Sequence, residues 1–214
     1  MLKNFPILCL DNFYSNPEKI RNLALQQNFE KTKQGGFPGR RTKPLNEIDI
    51  NIFNHFCARL FSIFYDFNFE KNLNWTVNTS FDITQNEEEG WIHTDDKSLF
   101  VGVVYLSKDN NIESGTNFFK KTNDYDDNTY VDKKIKYCND NLSKNEYSEI
   151  LKKHNSNYTK TVSIKNIFNR LIAYDPKIYH SPSFIDNSER LVQVFHVEKF
   201  DAKLTPLERM RRYD

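Results

Sequence analysis

The feature that most constrains this chain is the eight-residue apolar run LFVGVVYL at positions 99–106. Its length and its β-branched and aromatic residues suit a strand. Having no polar side, that strand needs cover on both faces. Around it the sequence has a period of two. Trp75, Val77, Thr79, Phe81 and Ile83 alternate with polar residues, as on a half-buried strand. ESGTNFF (113–119) reads as a turn and a strand, and further strands are expected at Thr161–Ile164, Arg170–Tyr174 and Arg190–Val197.

The first third reads differently. FPILCL (5–10) resembles a buried strand, and Ser15-Asn16-Pro17-Glu18 is a helix start, with a capping side chain, proline in the first turn and an early acid. Ile20, Leu23 and Ala24 give that helix one apolar face. Over 46–67, Ile52, Phe53, Phe56, Cys57, Leu60, Ile63, Phe64 and Phe67 recur at three and four, which predicts a scaffold helix. Residues 31–42 form a basic loop punctuated by Gly and Pro. Residues 120–160 are polar, with one helix expected around 143–153 and little to bury, as in an excursion or a lid. The end, LTPLERMRRYD, reads as a short closing helix over 203–212. Helices first and short strands after predict an α+β fold around a β-sandwich or open barrel. A chain of 214 residues suits one domain.

Composition removes several function classes. Lys+Arg 30 against Asp+Glu 29 leaves +1, so no general field draws the chain to nucleic acid or an anionic membrane. The terminal RMRRYD and Arg40-Arg41 are too sparse to form a basic stripe. No apolar run approaches the ~20 residues of a membrane span. The three cysteines, Cys9, Cys57 and Cys138, make neither a disulfide framework nor a metal knuckle. A reduced, soluble protein of the cytoplasm is expected, with no membrane partner.

Three features of the second half carry chemistry. His93-Thr94-Asp95 lies between two strands, Tyr179-His180-Ser181-Pro182 ends the strand RLIAYD and its turn, and Arg190 opens RLVQVFHV. His and Asp at i, i+2 project to one side of an extended chain and can reach one metal. A second His from another strand would complete the two-imidazole, one-carboxylate set that non-haem Fe(II) uses. Arg190 shares a strand face with Val192, Val194 and His196, and an arginine there is expensive unless a carboxylate meets it. Alone, each has a plainer reading: His93-x-Asp95 as a solvated turn, His180 as a hydrogen-bonded structural histidine, Arg190 as a surface ion pair. His196-Val197-Glu198 repeats the first spacing, but no histidine follows it.

The stretch HTDDKSLFVGVVYLS…SGTNFF…FNRLIAYDPKIYHSPS…RLVQVFHV resembles the Fe(II)- and 2-oxoglutarate-dependent oxygenases, nearest the prolyl-4-hydroxylase-like branch and a little-characterised bacterial and phage subgroup of it. The resemblance implies a double-stranded β-helix (jelly-roll, cupin-like) core over 74–200 with the 120–160 insertion, supported by outside helices within 1–73. For a phage protein the compartment would be the host cytoplasm. His93, Asp95 and His180 would ligate Fe(II). 2-Oxoglutarate would chelate that metal, with its far carboxylate on Arg190 and on Tyr105, which otherwise reads as a core tyrosine. Arg40, Arg41, Trp91 and His196 are candidate substrate contacts. The implied activity is hydroxylation with release of succinate and CO2, since halogenating relatives leave the carboxylate position empty. A non-catalytic module holding a metal or ligand is the alternative. The substrate, small or macromolecular, is not readable from the sequence.

Overall fold

The structure is a computed structural model that describes residues 7–31, 37, 39–63, 74–85, 90–95, 97–108, 112–139, 141–183 and 189–201. In chain order it runs β1 (Leu8–Leu10), α1 (Pro17–Leu25), β2 (Glu30–Lys31), β3 (Arg40–Arg41), α2 (Leu45–Ile48), α3 (Ile50–Ser62), β4 (Asn74–Thr84), β5 (Phe100–Tyr105), β6 (Thr116–Lys121), α4 (Val131–Cys138), α5 (Lys144–Asn155), β7 (Tyr158–Ile164), β8 (Leu171–Tyr174), β9 (Tyr179–Pro182) and β10 (Arg190–Asp201). Seven strands form one sheet in the order β1-β8-β5-β10-β4-β3-β2, and three form a second in the order β7-β6-β9. Every pairing between these strands is antiparallel.

Alternation along the central strands divides the core in two. Phe100 and Val104 of β5, Leu171 and Ala173 of β8, and Leu191, Phe195 and Val197 of β10 pack with Phe56, Leu60 and Phe61 of α3 and with Ile20 and Ala24 of α1. The intervening residues Val101, Val103, Tyr105, Ile172, Tyr174, Val192 and Val194 face the other way and meet Phe118 of β6 and Ile164 of β7. The apolar run therefore has cover on both faces, as its composition requires. Gly102 lies directly opposite Phe195. A Cβ there would sit 2.5 Å from the Phe195 ring, so glycine makes room for the aromatic.

β4 departs from this pattern. Val77, Phe81 and Ile83 join the helix-side core. On its other face Ser80, Asp82 and Thr84 are polar yet only 4–6% exposed. Asp82 lies opposite Val192, and Thr84 lies opposite Arg190. The space between the sheets is thus apolar at β5 and β8 and polar along β4.

Several expectations need correction. The helix over 46–67 is two helices, because the Asp49 side chain accepts from Asn51 N and Ile52 N and caps α3 anew; Phe64 and Phe67 lie outside the described residues. The strand expected over 5–10 is observed as β1 (Leu8–Leu10), and it is an edge strand: among the described residues β1 pairs only with β8, and Leu10 is 38% exposed. The basic loop contributes the two-residue strands β2 and β3, which extend the large sheet. His180 does not end the RLIAYD strand but lies on a separate strand, β9, in the other sheet. Residues 120–160 hold two helices and a core of their own, in which Trp91, Tyr147, Ile150 and Leu151 pack with Tyr130, Tyr137 and Leu142. Tyrosines that read as polar supply much of it. Residues 203–212, 5–6, 32–36 and most of QNEEEG lie outside the described residues.

Candidate metal centre

Residues 90–95 run beside β9. His93 N donates to His180 O at 3.0 Å and His180 N to His93 O at 2.9 Å, so the two histidines are directly opposed. Gly90 N donates to Pro182 O at 2.8 Å, and a Cβ at Gly90 would lie 2.6 Å from Pro182 Cδ, so glycine permits the close approach. Asp95 N donates to Pro176 O at 2.8 Å. Opposed residues of an antiparallel pair share a face, as do residues i and i+2. His93, Asp95 and His180 consequently converge: their ligand atoms all lie within 4.8 Å of one another. His180 Nε2 is 3.3 Å from Asp95 Oδ2, and His93 Nε2 is 3.9 Å from Asp95 Oδ1.

The backbone sets both imidazole tautomers. His93 Nδ1 lies 2.8 Å from Trp91 O, and His180 Nδ1 lies 2.9 Å from Ile178 O. A carbonyl only accepts, so each Nδ1 carries a hydrogen and each neutral ring keeps its lone pair on Nε2. Burial, with help from His180 and Lys134, pushes the His93 imidazole down to about 3. Burial pushes the Asp95 carboxyl up, but contact with His180 Nε2 and the positive charge that the nearby imidazoles carry when protonated outweigh it and hold Asp95 well below the usual carboxylate range. With both rings neutral, a carboxylate and two Nε2 lone pairs face one another in a partly open pocket, where the His180 side chain is 7% exposed and those of Asp95 and His93 are 24% and 37% exposed. That is a cluster of acceptors which a divalent cation would satisfy, with ring orientations already fixed as metal-bound histidines need.

α5 braces the segment that carries His93. Asn155 Oδ1 accepts from Ile92 N at 3.3 Å, and Asn155 Nδ2 donates to Gly90 O at 3.1 Å. The buried His154 places Nε2 2.8 Å from Ile92 O and Nδ1 3.1 Å from the Tyr125 hydroxyl. Its ring stacks on Trp91 at 3.9 Å. Sequence reasoning missed both residues: in a polar stretch, nothing marks a His-Asn pair as bound to distant backbone.

Arg190 is 4% exposed. Its Nε donates to Ser114 O at 2.9 Å, while Nη2 approaches Gly115 O at 3.4 Å and Thr116 Oγ1 at 3.5 Å. No carboxylate pairs with it among the described residues. Tyr105 lies under the guanidinium, 5.4 Å from ring centroid to Cζ, and its hydroxyl is 2.8 Å from Thr116 Oγ1. Across the ladder, Thr84 Oγ1 is buried with no hydrogen-bond partner. A buried cation and an orphaned hydroxyl on opposed residues are complementary to a carboxylate.

The remaining sequence candidates scatter. Arg40 is exposed and pairs with Glu189 at 3.0 Å. Arg41 turns inward and grips Asp82 in a bidentate pair at 2.8 and 2.7 Å. Trp91 is buried under α5. His196 shares the inner face of β10, with Nδ1 3.4 Å from Ser98 Oγ, and burial lowers its pKa although Asp95 opposes this. Asp82 and Thr84 were missed, though the buried polar alternation at Ser80, Asp82 and Thr84 is a signal once the strand is known.

Solved structures of similar fold include a prolyl hydroxylase and a 2OG-Fe(II) oxygenase family protein. The chain is similar to HygX from Streptomyces hygroscopicus with nickel and 2-oxoglutarate bound, at 12% identity and TM-score 0.55, covering 88% of this chain and 81% of that one. It is similar to a prolyl hydroxylase from Trichoplax adhaerens in complex with a hypoxia inducible factor peptide, at 11% identity and TM-score 0.54, covering 89% and 82%. A 2OG-Fe(II) oxygenase family oxidoreductase from Burkholderia pseudomallei matches at 10% identity and TM-score 0.53, covering 89% and 84%. At such identities the likeness is one of fold. By sequence the chain belongs to the Family of unknown function (DUF6445), whose profile matches residues 2–195. No curated protein matches it.

Proposed function

We propose that the chain is an Fe(II)- and 2-oxoglutarate-dependent dioxygenase that hydroxylates its substrate, with residues 1–214 as one double-stranded β-helix domain. The observation that carries this reading is the convergence of His93, Asp95 and His180, with each Nδ1 held by a backbone carbonyl so that each Nε2 faces the cluster. Two antiparallel sheets facing each other across a shared core support the β-helix assignment.

In this reading His93, Asp95 and His180 would hold Fe(II), and 2-oxoglutarate would bind at that metal and at Arg190. Arg190, with the Tyr105 and Thr84 hydroxyls, takes the far carboxylate, and that partner removes the expense of burying an uncompensated guanidinium. Bound together, the metal and the 2-oxo acid supply O2 activation coupled to release of succinate and CO2. The protein's own residues position and shield. The Trp91 and Ile178 carbonyls keep Nδ1 protonated, Asp95 fills the third ligand position and so favours hydroxylation, and Phe118, Tyr174 and Val192 exclude water from the inner face. No helix among the described residues is long and apolar enough to cross a membrane. Succinate release from Fe(II) and 2-oxoglutarate, screened across candidate substrates, tests the reading. Release abolished in Asp95→Ala supports it. Tight binding of both ligands without succinate under any condition would instead make the chain a non-catalytic binding module.

A further inference from the structure

Among the described residues, one cation beside the candidate site has no ion-pair partner and no place in the proposed metal and co-substrate set. Arg40 is paired with Glu189, and Arg41 with Asp82. On the proposed reading, a divalent metal with Asp95 carries one positive charge. 2-Oxoglutarate brings two negative charges and Arg190 restores one positive, so that set is neutral. Lys134 remains. It lies on α4, half-buried, with Nζ 5.4 Å above the Trp91 ring. Trp91 lies two residues before His93 on the same side of the segment, and its carbonyl orients the His93 ring. Lys134 is close enough that its charge acts on His93 and the Asp95 charge acts back on it. Among the described residues no carboxylate forms an ion pair with it. An ammonium held over an aromatic face and stripped of much of its water gains strongly from a desolvated anion.

We propose that Lys134 anchors an anionic group, a carboxylate or a phosphate, on the substrate and so makes this a site for acidic substrates. This rests on the oxygenase reading, since the metal and 2-oxoglutarate set the charge balance. It also gives the helical insertion a role in recognition: α4 delivers the cation, while α5 fixes the strand beside it. Arg40 and Arg41, the basic residues prominent in the sequence, are used up in ion pairs.

The test uses the full chain loaded with Mn(II) and 2-oxoglutarate, with inorganic phosphate as the probe. Mn(II) speeds the relaxation of any nearby phosphorus nucleus, so 31P relaxation reports phosphate beside the metal. Wild type should give a saturable enhancement. Lys134→Met should weaken the apparent phosphate affinity about tenfold, the scale of a lost charge-assisted contact. Lys134→Arg should retain most of it, and Lys133→Met, on the exposed side of α4, should match wild type. Equal enhancement in wild type and Lys134→Met, with Mn(II) and 2-oxoglutarate still bound, overturns the proposal, because the anion then reaches the metal without Lys134. So does no enhancement in loaded wild type. Failure of wild type to take up Mn(II) or 2-oxoglutarate overturns the oxygenase reading itself, and the anion site with it.

Discussion

Asp82 is buried between the sheets, and Arg41 is what makes its charge tolerable there. Arg41→Met should destabilise the protein by ~3 kcal/mol, the scale of stranding one partner of a buried pair. Adding Asp82→Asn should recover much of that loss. Denaturant titration of the single and double variants decides it: if Arg41→Met alone is neutral, the pair is not structural and Arg41 is available for substrate. For the co-substrate, Arg190→Ala should weaken 2-oxoglutarate binding by ~2–3 kcal/mol, and Tyr105→Phe or Thr84→Val by about 1 kcal/mol each. Calorimetry should show metal affinity unchanged in all three. At this scale the sequence was informative about ligand types and silent about partners. The order His93, Asp95, His180, Arg190 is visible because i, i+2 spacing and strand faces are local. That Arg41 would meet Asp82 depends on β3 aligning with β4, a pairing of residues 41 apart that leaves no local trace.

Among the elements, α5 shows what pattern reading misses. Its start is legible, since Ser143 and Glu146 form a capping box. Its end is not, since His154 and Asn155 act on backbone more than 60 residues away. Replacing Asn155 by Ala removes partners from Ile92 N and Gly90 O and should loosen the segment bearing His93. Amide exchange at Ile92 should then quicken, and metal affinity should fall several-fold while the unfolding midpoint changes little. An unaltered metal affinity would mean that β9 alone positions His93. The same contacts bear on whether 120–160 is a lid. α5 is stacked on and hydrogen-bonded to the segment that carries His93, so ligand-induced protection should be confined to α4 rather than extend over both helices. Exchange that slows across α5 on loading would contradict this. The long helix of 46–67 failed as a single element for a local reason, the Asp49 cap, that a periodicity reading passes over.

For the molecule as a whole, the two-faced core followed from the apolar run and the alternating strands. The split into two sheets did not, because β9 and β8 look like one strand and its turn until pairing separates them. The site also imposes a pH dependence on the fold. The folded state holds His93 at about 3, below its ordinary 6.5, and Asp95 below its usual range. Both groups bind more protons unfolded than folded, so stability of the metal-free protein is undiminished above pH 6.5 and falls as pH drops from there through about 3. His93→Gln should flatten the upper part of that decline in denaturant titrations at stepped pH; an unchanged slope would mean that His93 is not the group responsible. The central claim is that His93, Asp95 and His180 form one metal site to which 2-oxoglutarate binds. Anaerobic titration of Fe(II) and 2-oxoglutarate, followed by the metal-to-keto absorption band, tests it most directly. The account predicts a band that saturates at one equivalent per chain, is lost in Asp95→Ala and in His180→Ala, and is retained in His196→Ala. A band of undiminished strength in Asp95→Ala and His180→Ala would place the metal elsewhere and contradict it.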